Sequence, residues 1–397
     1  MRRGRVGGVV ASGGFWYGAG PMSTAFSMIA DSAALRTLVD RLQEEAVLAF
    51  DTEFTWERTY YARLGLVQIA AADGRCFLID PLAVGYLAPL GELLANARIV
   101  KILHDAPQDL MILRRATGVA ARNVFDTRLA AGFAGLASTL SLGNLLAETL
   151  DVHLAKAHTR ADWLARPLAP AELDYAADDV RYLPEVAERL RARARTAGVE
   201  AWLDEERAAL DDPELTADRP VAEAYLRIRA AANLAPRPMA ALRELAAWRE
   251  QAARAADLPR RWLLEDGELV AIASALPQTP DGLKLKPPAV ARWGADLLAA
   301  VRRAQEMPTA DLPPPIFQPP RAAAFRKELD HALAEIQARA AARGVDPALV
   351  CSRNDLARLL QALPEARPAD HALLRGWRAE LAGDLLARPR QGVLRST

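Results

Sequence analysis

The sequence is poor in several features that would otherwise indicate its class. Its 397 residues include only two cysteines, Cys76 and Cys351, which lie far apart in the chain. This number and spacing exclude a disulfide scaffold and a cysteine-based zinc site, so we expect a reducing, cytoplasmic environment. Its apolar runs are too short to span a bilayer, so we expect no membrane partner.

The sequence also lacks net charge. Lys and Arg together number 50, as do Asp and Glu, and few of the basic residues are lysines. An overall basic surface for nucleic acid is therefore excluded, and positive charge at any such site must be local. Apolar residues make up 51% of the chain, which is enough for a buried core, and the length favours two or three domains.

The pattern along the chain changes near residue 212. Residues 29–212 combine strand-like and helical patterns, which predicts a mixed sheet flanked by helices, an α/β domain. Residues 1–28 are rich in glycine and lack periodicity, so we expect a disordered extension with Met22 or Met28 as the true first residue. Beyond residue 212 only helical patterns remain, which predicts an all-α part interrupted by a proline-rich linker at 298–319.

Periodicity also predicts individual elements. The predicted strands are 47–51, 65–72, 75–79 and 98–103. The predicted helices are 107–117, 126–133, 142–150, 170–197, 221–229, 239–256 and 267–275. The helical segments 218–297 and 320–388 have similar length and layout, which indicates two small related domains.

Two acidic residues at the end of the first predicted strand form a candidate site. Asp51 and Glu53 are two positions apart, so their side chains project from the same face of a strand. Two such anions repel each other unless a cation lies between them, and hard divalent cations take oxygen ligands. A solvated strand end is the competing interpretation.

Two further positions add acidic groups. Asp109 lies in the predicted helix 107–117, ahead of its apolar residues, while Asp105 is a candidate helix cap. Tyr175 and Asp179 are four residues apart, so they share one helical face, and the phenol is suited to hold a water molecule for attack. An amphipathic surface helix is the competing interpretation of the second pair.

Taken together, these residues have the composition of a two-metal phosphodiester site. The four acids are Asp51, Glu53, Asp109 and Asp179, and Tyr175 adds a hydroxyl. Two divalent ions, Mg²⁺ or Mn²⁺, carry about +4, which offsets about −5 from the acids and the scissile phosphate. One ion would lower the pKa of the attacking water, and the other would stabilise the leaving 3′ oxygen.

The same residues lie within three longer motifs that resemble those of bacterial ribonuclease D, in its tyrosine-containing form. The motifs are DTEFTWERTYYARLGLVQIA at 51–70, KILHDAPQDLMIL at 101–113 and DWLARPLAPAELDYAADDVRYL at 162–183. The helical segments 218–297 and 320–388 resemble the HRDC domains of that family.

The resemblance implies both a fold and an activity. The fold is a ribonuclease-H-like 3′→5′ exonuclease domain, and the activity is two-metal hydrolysis of RNA from its 3′ end to nucleoside 5′-monophosphates. Tyr175 would position the attacking water, and Asp51, Glu53, Asp109 and Asp179 would be the metal ligands. The usual role is tRNA 3′ processing, and a monomer is expected.

Four more residues are candidates for RNA contacts. Lys156 and Arg160 lie before the third motif, where we expect a basic loop that contacts phosphates, and an ordinary polar loop is the competing interpretation. Phe54 directly follows Glu53, where its ring is available to stack on a base, and structural packing is the competing interpretation. His104 follows a buried strand, and a packed, hydrogen-bonded histidine is the competing interpretation there.

Two other functions remain open at this point. The same chemistry would serve on DNA, although the sequence lacks the GxxxxGK[ST] phosphate loop of a helicase motor. A non-catalytic RNA-binding module would keep the fold, although all four acids and Tyr175 are present. We therefore expect a 3′→5′ exoribonuclease that acts on tRNA precursors and other structured RNAs.

Overall fold

A computed structural model describes residues 26–154, 161–314, 316–363 and 371–386. Within these residues, six strands form one mixed sheet: β1 Phe26–Ile29, β2 Val47–Thr55, β3 Arg63–Ala71, β4 Cys76–Ile79, β5 Val100–Leu103 and β6 Val124–Asp126. Their order across the sheet is β1-β4-β3-β2-β5-β6. The pairs β1–β4, β2–β5 and β5–β6 are parallel, whereas β3 is antiparallel to β2 and β4. The predicted mixed sheet is thus confirmed.

Helices cover both faces of this sheet. They are α1 Ser32–Leu42, α2 Pro81–Val84, α3 Leu90–Ala95, α4 Pro107–Thr117, α5 Thr127–Phe133, α6 Leu142–Leu150, α7 Pro170–Arg181, α8 Leu183–Thr196 and α9 Glu200–Ala208. The prediction of a single helix over 170–197 is wrong, because the helix is interrupted at Tyr182, between α7 and α8. Pro184 has no amide hydrogen to donate to the Val180 carbonyl, so a new helix begins there.

The alternation of side chains along the strands gives the sheet two apolar faces. One face packs against α7 and α8, and we call it the α7 face; its buried strand residues include Ala49, Leu66, Ala70, Cys76 and Leu78. The other packs against α1, α3 and α4, and we call it the α4 face; its buried strand residues include Leu48, Phe50, Val67, Ile69 and Phe77. Neighbouring residues of a strand therefore belong to different layers of the protein.

The predicted disorder of residues 1–28 is wrong for residues 26–28. These residues belong to β1, an edge strand whose Met28 pairs with Leu78 of β4. The middle residues of this short strand are exposed, so its sequence carries no alternation of apolar and polar residues. Residues 1–25 lie outside the described part of the chain.

Four further helices form what we call the first helical domain. They are α10 Pro236–Ala256, α11 Arg260–Leu263, α12 Asp266–Ala275 and α13 Pro287–Glu306. Their buried side chains form a core of their own. The predicted linker at 298–319 is wrong for residues 298–306, which belong to α13 and place Leu298 and Val301 in that core. The predicted helix at 221–229 is instead a 3₁₀ helix, Val221–Arg227.

The last three helices, which we call the C-terminal helices, pack differently. They are α14 Ala323–Ala342, α15 Arg353–Ala362 and α16 Gly376–Leu386. Their apolar side chains share one core with the α7 face of the sheet domain. Trp377 of α16 stacks on Trp202 of α9, with ring centroids 5.7 Å apart. The rings of Trp377 and Phe133 form an edge-to-face contact with centroids 5.2 Å apart. The predicted similarity of the two helical segments does not extend to how they are buried.

Within the described residues, no helix is both long enough and apolar enough to cross a bilayer.

Candidate active site

Strand β2 and helix α7 bring three of the predicted acidic ligands together. Asp51 and Glu53 both lie on the α7 face of β2, opposite Gln68 and Leu66 of β3. Helix α7 packs against β2, β3 and β4 and carries Asp179. Among the described residues, Asp51, Glu53 and Asp179 each offer a carboxylate oxygen within 4.8 Å of the other two. This group could hold a metal ion.

Asp109 approaches this group from the opposite layer. It lies in the first turn of α4, the helix that covers the α4 face of the sheet, and it is 8% exposed. Its carboxylate accepts a hydrogen bond from the hydroxyl of Thr52, the residue between Asp51 and Glu53. The charge of Asp109 raises the pKa values of both Asp51 and Glu53, so it is an electrostatic neighbour of the group of three.

The electrostatics of the group favour a bound cation. Burial raises the pKa of Asp51 well above its ordinary value, and the charges of Asp109, Asp179 and Glu53 raise it further. Burial, followed by the charges of Asp179 and Asp109, raises the pKa of Glu53 to about 8. Ionised carboxylates this close together are stable only when a cation neutralises them, and an all-oxygen donor set fits a hard divalent ion.

Tyr175 places a neutral hydroxyl beside the acids. It lies one turn before Asp179 on α7, and its hydroxyl donates a hydrogen bond to the Asp179 carboxylate. Burial and the charges of Asp179 and Glu53 raise its pKa, so the phenol stays protonated. A protonated phenol at the edge of an acidic pocket is able to donate a hydrogen bond to a water molecule.

The segment before α7 is fixed to the sheet and supports Tyr175. Arg166 pairs with Asp80 (Nε to Oδ2, 2.6 Å) and donates a 2.7 Å hydrogen bond to the Gly65 carbonyl. A Cβ atom at Gly65 would lie 2.4 Å from the carbonyl oxygen of Trp163, so this close approach requires glycine. The Trp163 ring in turn lies 6.3 Å from that of Tyr175.

The structure gives two of the predicted RNA contacts different surroundings. Both ring nitrogens of His104 have partners inside the protein, Thr127 Oγ1 at 3.0 Å and the Leu140 carbonyl at 3.2 Å. Burial lowers its pKa, so a packed, neutral histidine fits this position. Phe54 meets the edge of Trp56 with ring centroids 6.1 Å apart, and Trp56 is 43% exposed.

Two predicted RNA contacts belong to the loop before the third motif. Lys156 and Arg160 lie outside the described residues.

The sequence analysis did not identify Asp126, which organises the start of α4. Its carboxylate accepts hydrogen bonds from the amides of Asp105 (3.1 Å) and Ala106 (2.9 Å), and it also caps α5. The interpretation of Asp105 as a helix cap is wrong, because its side chain pairs with Arg128 instead. An Asp at the boundary between an apolar run and a helix was the available signal.

Comparisons with known proteins agree with this architecture. A family model described as a 3′-5′ exonuclease matches residues 26–194, and an HRDC domain model matches residues 239–301. The latter range lies within the first helical domain, from α10 to α13.

Relatives of known identity match nearly the whole chain. Ribonuclease D of Desulfotalea psychrophila is 38% identical over 90% of this chain and 96% of its own length. Ribonuclease D of Pseudomonas paraeruginosa is 36% identical over 90% and 96%, respectively. The crystal structure of Escherichia coli RNase D, described as an exoribonuclease involved in structured RNA processing, matches with a TM-score of 0.81 and 30% identity over 91% of this chain and 97% of that one.

Proposed function

This chain belongs to the ribonuclease D family and is a 3′→5′ exoribonuclease, and we propose that it cleaves RNA with two divalent cations, Mg²⁺ or Mn²⁺, held by four acids. The ligands would be Asp51, Glu53, Asp109 and Asp179. The observation that carries the proposal is the approach of carboxylate oxygens from Asp51, Glu53 and Asp179 to within 4.8 Å of one another. The raised pKa values of these acids support it, because a bound cation would relieve their repulsion.

The chain's own groups would divide the work of hydrolysis. When bound, the cations supply positive charge to the scissile phosphate and lower the pKa of the attacking water. The Tyr175 hydroxyl, which touches Asp179, would orient that water toward phosphorus. Cleavage next to the terminal nucleotide releases a nucleoside 5′-monophosphate.

The substrate class follows from the relatives. We propose tRNA precursors and other structured RNA 3′ ends as substrates, because the Escherichia coli relative is described as involved in structured RNA processing. A monomer in the cytoplasm completes the proposal, and the two distant cysteines fit a reducing compartment. Phe54, Lys156 and Arg160 remain candidates for contacts with the RNA.

Neighbouring acids on α7 offer a matched test of the site. Asp179→Asn removes a proposed ligand, whereas Asp178→Asn removes a carboxylate that pairs with Arg181 at 3.0 Å and acts on Asp179 through its charge. We expect Asp179→Asn and Asp51→Asn to reduce trimming of a labelled tRNA precursor by at least about 100-fold, with the fold intact. Asp178→Asn should stay near the wild-type rate. Trimming that is insensitive to a chelator would contradict the proposal, and so would trimming by Asp51→Asn at the wild-type rate.

The role of Tyr175 is tested separately from RNA binding. Tyr175→Phe keeps the ring beside Trp163 but removes the hydroxyl that touches Asp179. We expect single-turnover hydrolysis to slow by about 100-fold, with little change in RNA affinity. An equal loss of hydrolysis and binding would argue against water positioning. Matched 3′-tailed RNA and DNA, compared in the same assay, would decide the preference between the two nucleic acids.

A further inference from the structure

Gln68 is a polar residue buried in the middle of β3. Its side chain is 0% exposed, and within the described part of the chain neither its amide nitrogen nor its amide oxygen has a hydrogen-bond partner. A buried amide without partners costs free energy, and its neighbours along the strand, Val67 and Ile69, are apolar. We therefore expect the amide to gain a hydrogen-bond partner when the protein binds its cation.

The register of the sheet places this amide beside the proposed metal site. Gln68 pairs directly with Asp51 across β2 and β3, and residues paired in this way project from the same face. Its neighbours two positions away, Leu66 and Ala70, belong to the core of the α7 face, and so does Leu78, its partner on β4. Gln68 therefore lies on the side of the sheet that α7 covers, the same side as Asp51.

Of the two strand residues paired with Gln68, one is polar. Gln68 has an apolar residue, Leu78, on one flank and the Asp51 carboxylate on the other. Helix α7, which packs against β3, contributes the apolar side chains of Ala176, Ala177 and Val180 to the same core. The carboxylate of Asp51 is the polar group that the sheet register sets directly opposite the amide.

We propose that Gln68 is a positioning residue for the metal ligand Asp51. When the cation is bound, its amide N–H donates a hydrogen bond to one carboxylate oxygen of Asp51, which leaves the other oxygen to face the cation. Such a bond fixes the orientation of the carboxylate. Cation binding then loses less side-chain conformational entropy. The proposal rests on the proposed function, because it requires Asp51 to be a metal ligand.

The test measures cation binding without RNA. Mn²⁺ is titrated into the full-length protein by calorimetry, for the wild type and for Gln68→Met, which keeps the length of the side chain but not its amide. We expect Mn²⁺ to bind the variant about 10-fold to 100-fold more weakly. The unfolding temperature of the metal-free variant should be equal to that of the wild type or higher, because an amide without partners has been removed from the core.

A matched control comes from the same strand. Leu66 pairs with Glu53 as Gln68 pairs with Asp51, so Leu66→Met makes a comparable change beside the other acid. Its Mn²⁺ affinity should remain at the wild-type value. Wild-type affinity in Gln68→Met would overturn the proposal, and so would equal weakening in both variants. Gln68→Leu is the second variant, and if neither Gln68 variant folds, the amide serves packing and the proposal is wrong.

Asp51→Asn separates this inference from the proposed function. If Asp51→Asn binds Mn²⁺ and degrades RNA like the wild type, the metal site itself is wrong. If Asp51→Asn loses both while Gln68→Met binds normally, only the role of Gln68 fails.

Discussion

The hydroxyl of Thr52 donates a hydrogen bond to the carboxylate of Asp109. This bond lies on the α4 face of the sheet, whereas Asp51 and Glu53 lie on the α7 face. Both partners are buried, with Thr52 4% and Asp109 8% exposed. Strand β2 thus supplies two acids to one face and an anchor for a third acid to the other. The middle residue of Asp51-Thr52-Glu53 therefore has a defined structural partner.

Thr52→Val should loosen Asp109 while preserving the shape of the side chain. The change leaves the buried Asp109 carboxylate without this donor, so we expect Mn²⁺ affinity to fall about 10-fold. Thr37→Val is a suitable control, because Thr37 is exposed and its hydroxyl bonds to the Ala33 carbonyl of its own helix. Calorimetric titration of both variants checks the prediction, and equal Mn²⁺ affinities would contradict it.

Tyr60 connects the loop after β2 to the first helical domain. Its hydroxyl donates to the buried Glu250 and accepts from Arg254 (Nε, 3.0 Å) and Arg260 (Nη2, 2.8 Å). The backbone amide of Tyr60 also donates to Asp257 at 3.1 Å. This cluster holds the loop that begins immediately after the proposed metal strand.

Tyr60→Phe should weaken this interdomain contact. A hydrogen bond to a charged group contributes about 1.5–3 kcal/mol, so the loop should open more often. Hydrogen exchange of the 56–62 backbone should quicken by about 10-fold or more, while Tyr86→Phe, at a side chain that is 67% exposed, should change nothing. Unchanged exchange in the 56–62 loop of Tyr60→Phe would show that the hydroxyl does not hold the loop.

The acidic site predicts how stability depends on pH without metal. Glu53 has an ordinary pKa of 4.5 and a pKa of about 8 in the folded, metal-free protein. Between these values the folded state binds more protons than the unfolded state, so stability should fall as pH rises from about 5 to 8. Mn²⁺ competes with those protons, so its stabilising effect should grow over the same window.

Thermal unfolding across this pH range, with and without Mn²⁺, measures both effects. Glu53→Gln cannot ionise at this position, so its metal-free unfolding temperature should depend less steeply on pH than that of the wild type. Parallel curves for the two proteins would mean that Glu53 is not protonated in the metal-free fold.

Trp377 tests whether the C-terminal helices stabilise the sheet domain. It is 0% exposed, and its indole N–H donates to Glu206 of α9 at 2.8 Å. Trp377→Ala should cost about 3–5 kcal/mol in the free energy of unfolding. Trp262→Ala, at a side chain that is 50% exposed, should cost about 0.5 kcal/mol or less.

Urea unfolding followed by circular dichroism compares the two tryptophan variants. Because the C-terminal helices and the sheet domain share one core, Trp377→Ala should shift their common transition. A separate early transition that leaves the sheet domain unchanged would show that the two parts fold independently.

The sequence by itself determined many of the elements and which residues are candidates for the site. Helices α4 and α6 have the predicted boundaries. Their 3.6-residue apolar period is a local pattern that the sequence shows directly. The acids Asp51 and Glu53 share a face because a strand alternates its side chains. The motifs around them carried the resemblance to ribonuclease D before any contact was known.

Only the tertiary structure decided which distant residues meet. The sequence did not reveal β1, whose middle residues are exposed, or β6, whose three residues directly precede α5. Both strands are defined by their partners β4 and β5. The pairing of Gln68 with Asp51 depends on sheet register, and the bond between Thr52 and Asp109 depends on how α4 packs. Such contacts are set by packing between residues far apart in the chain, which local periodicity does not encode.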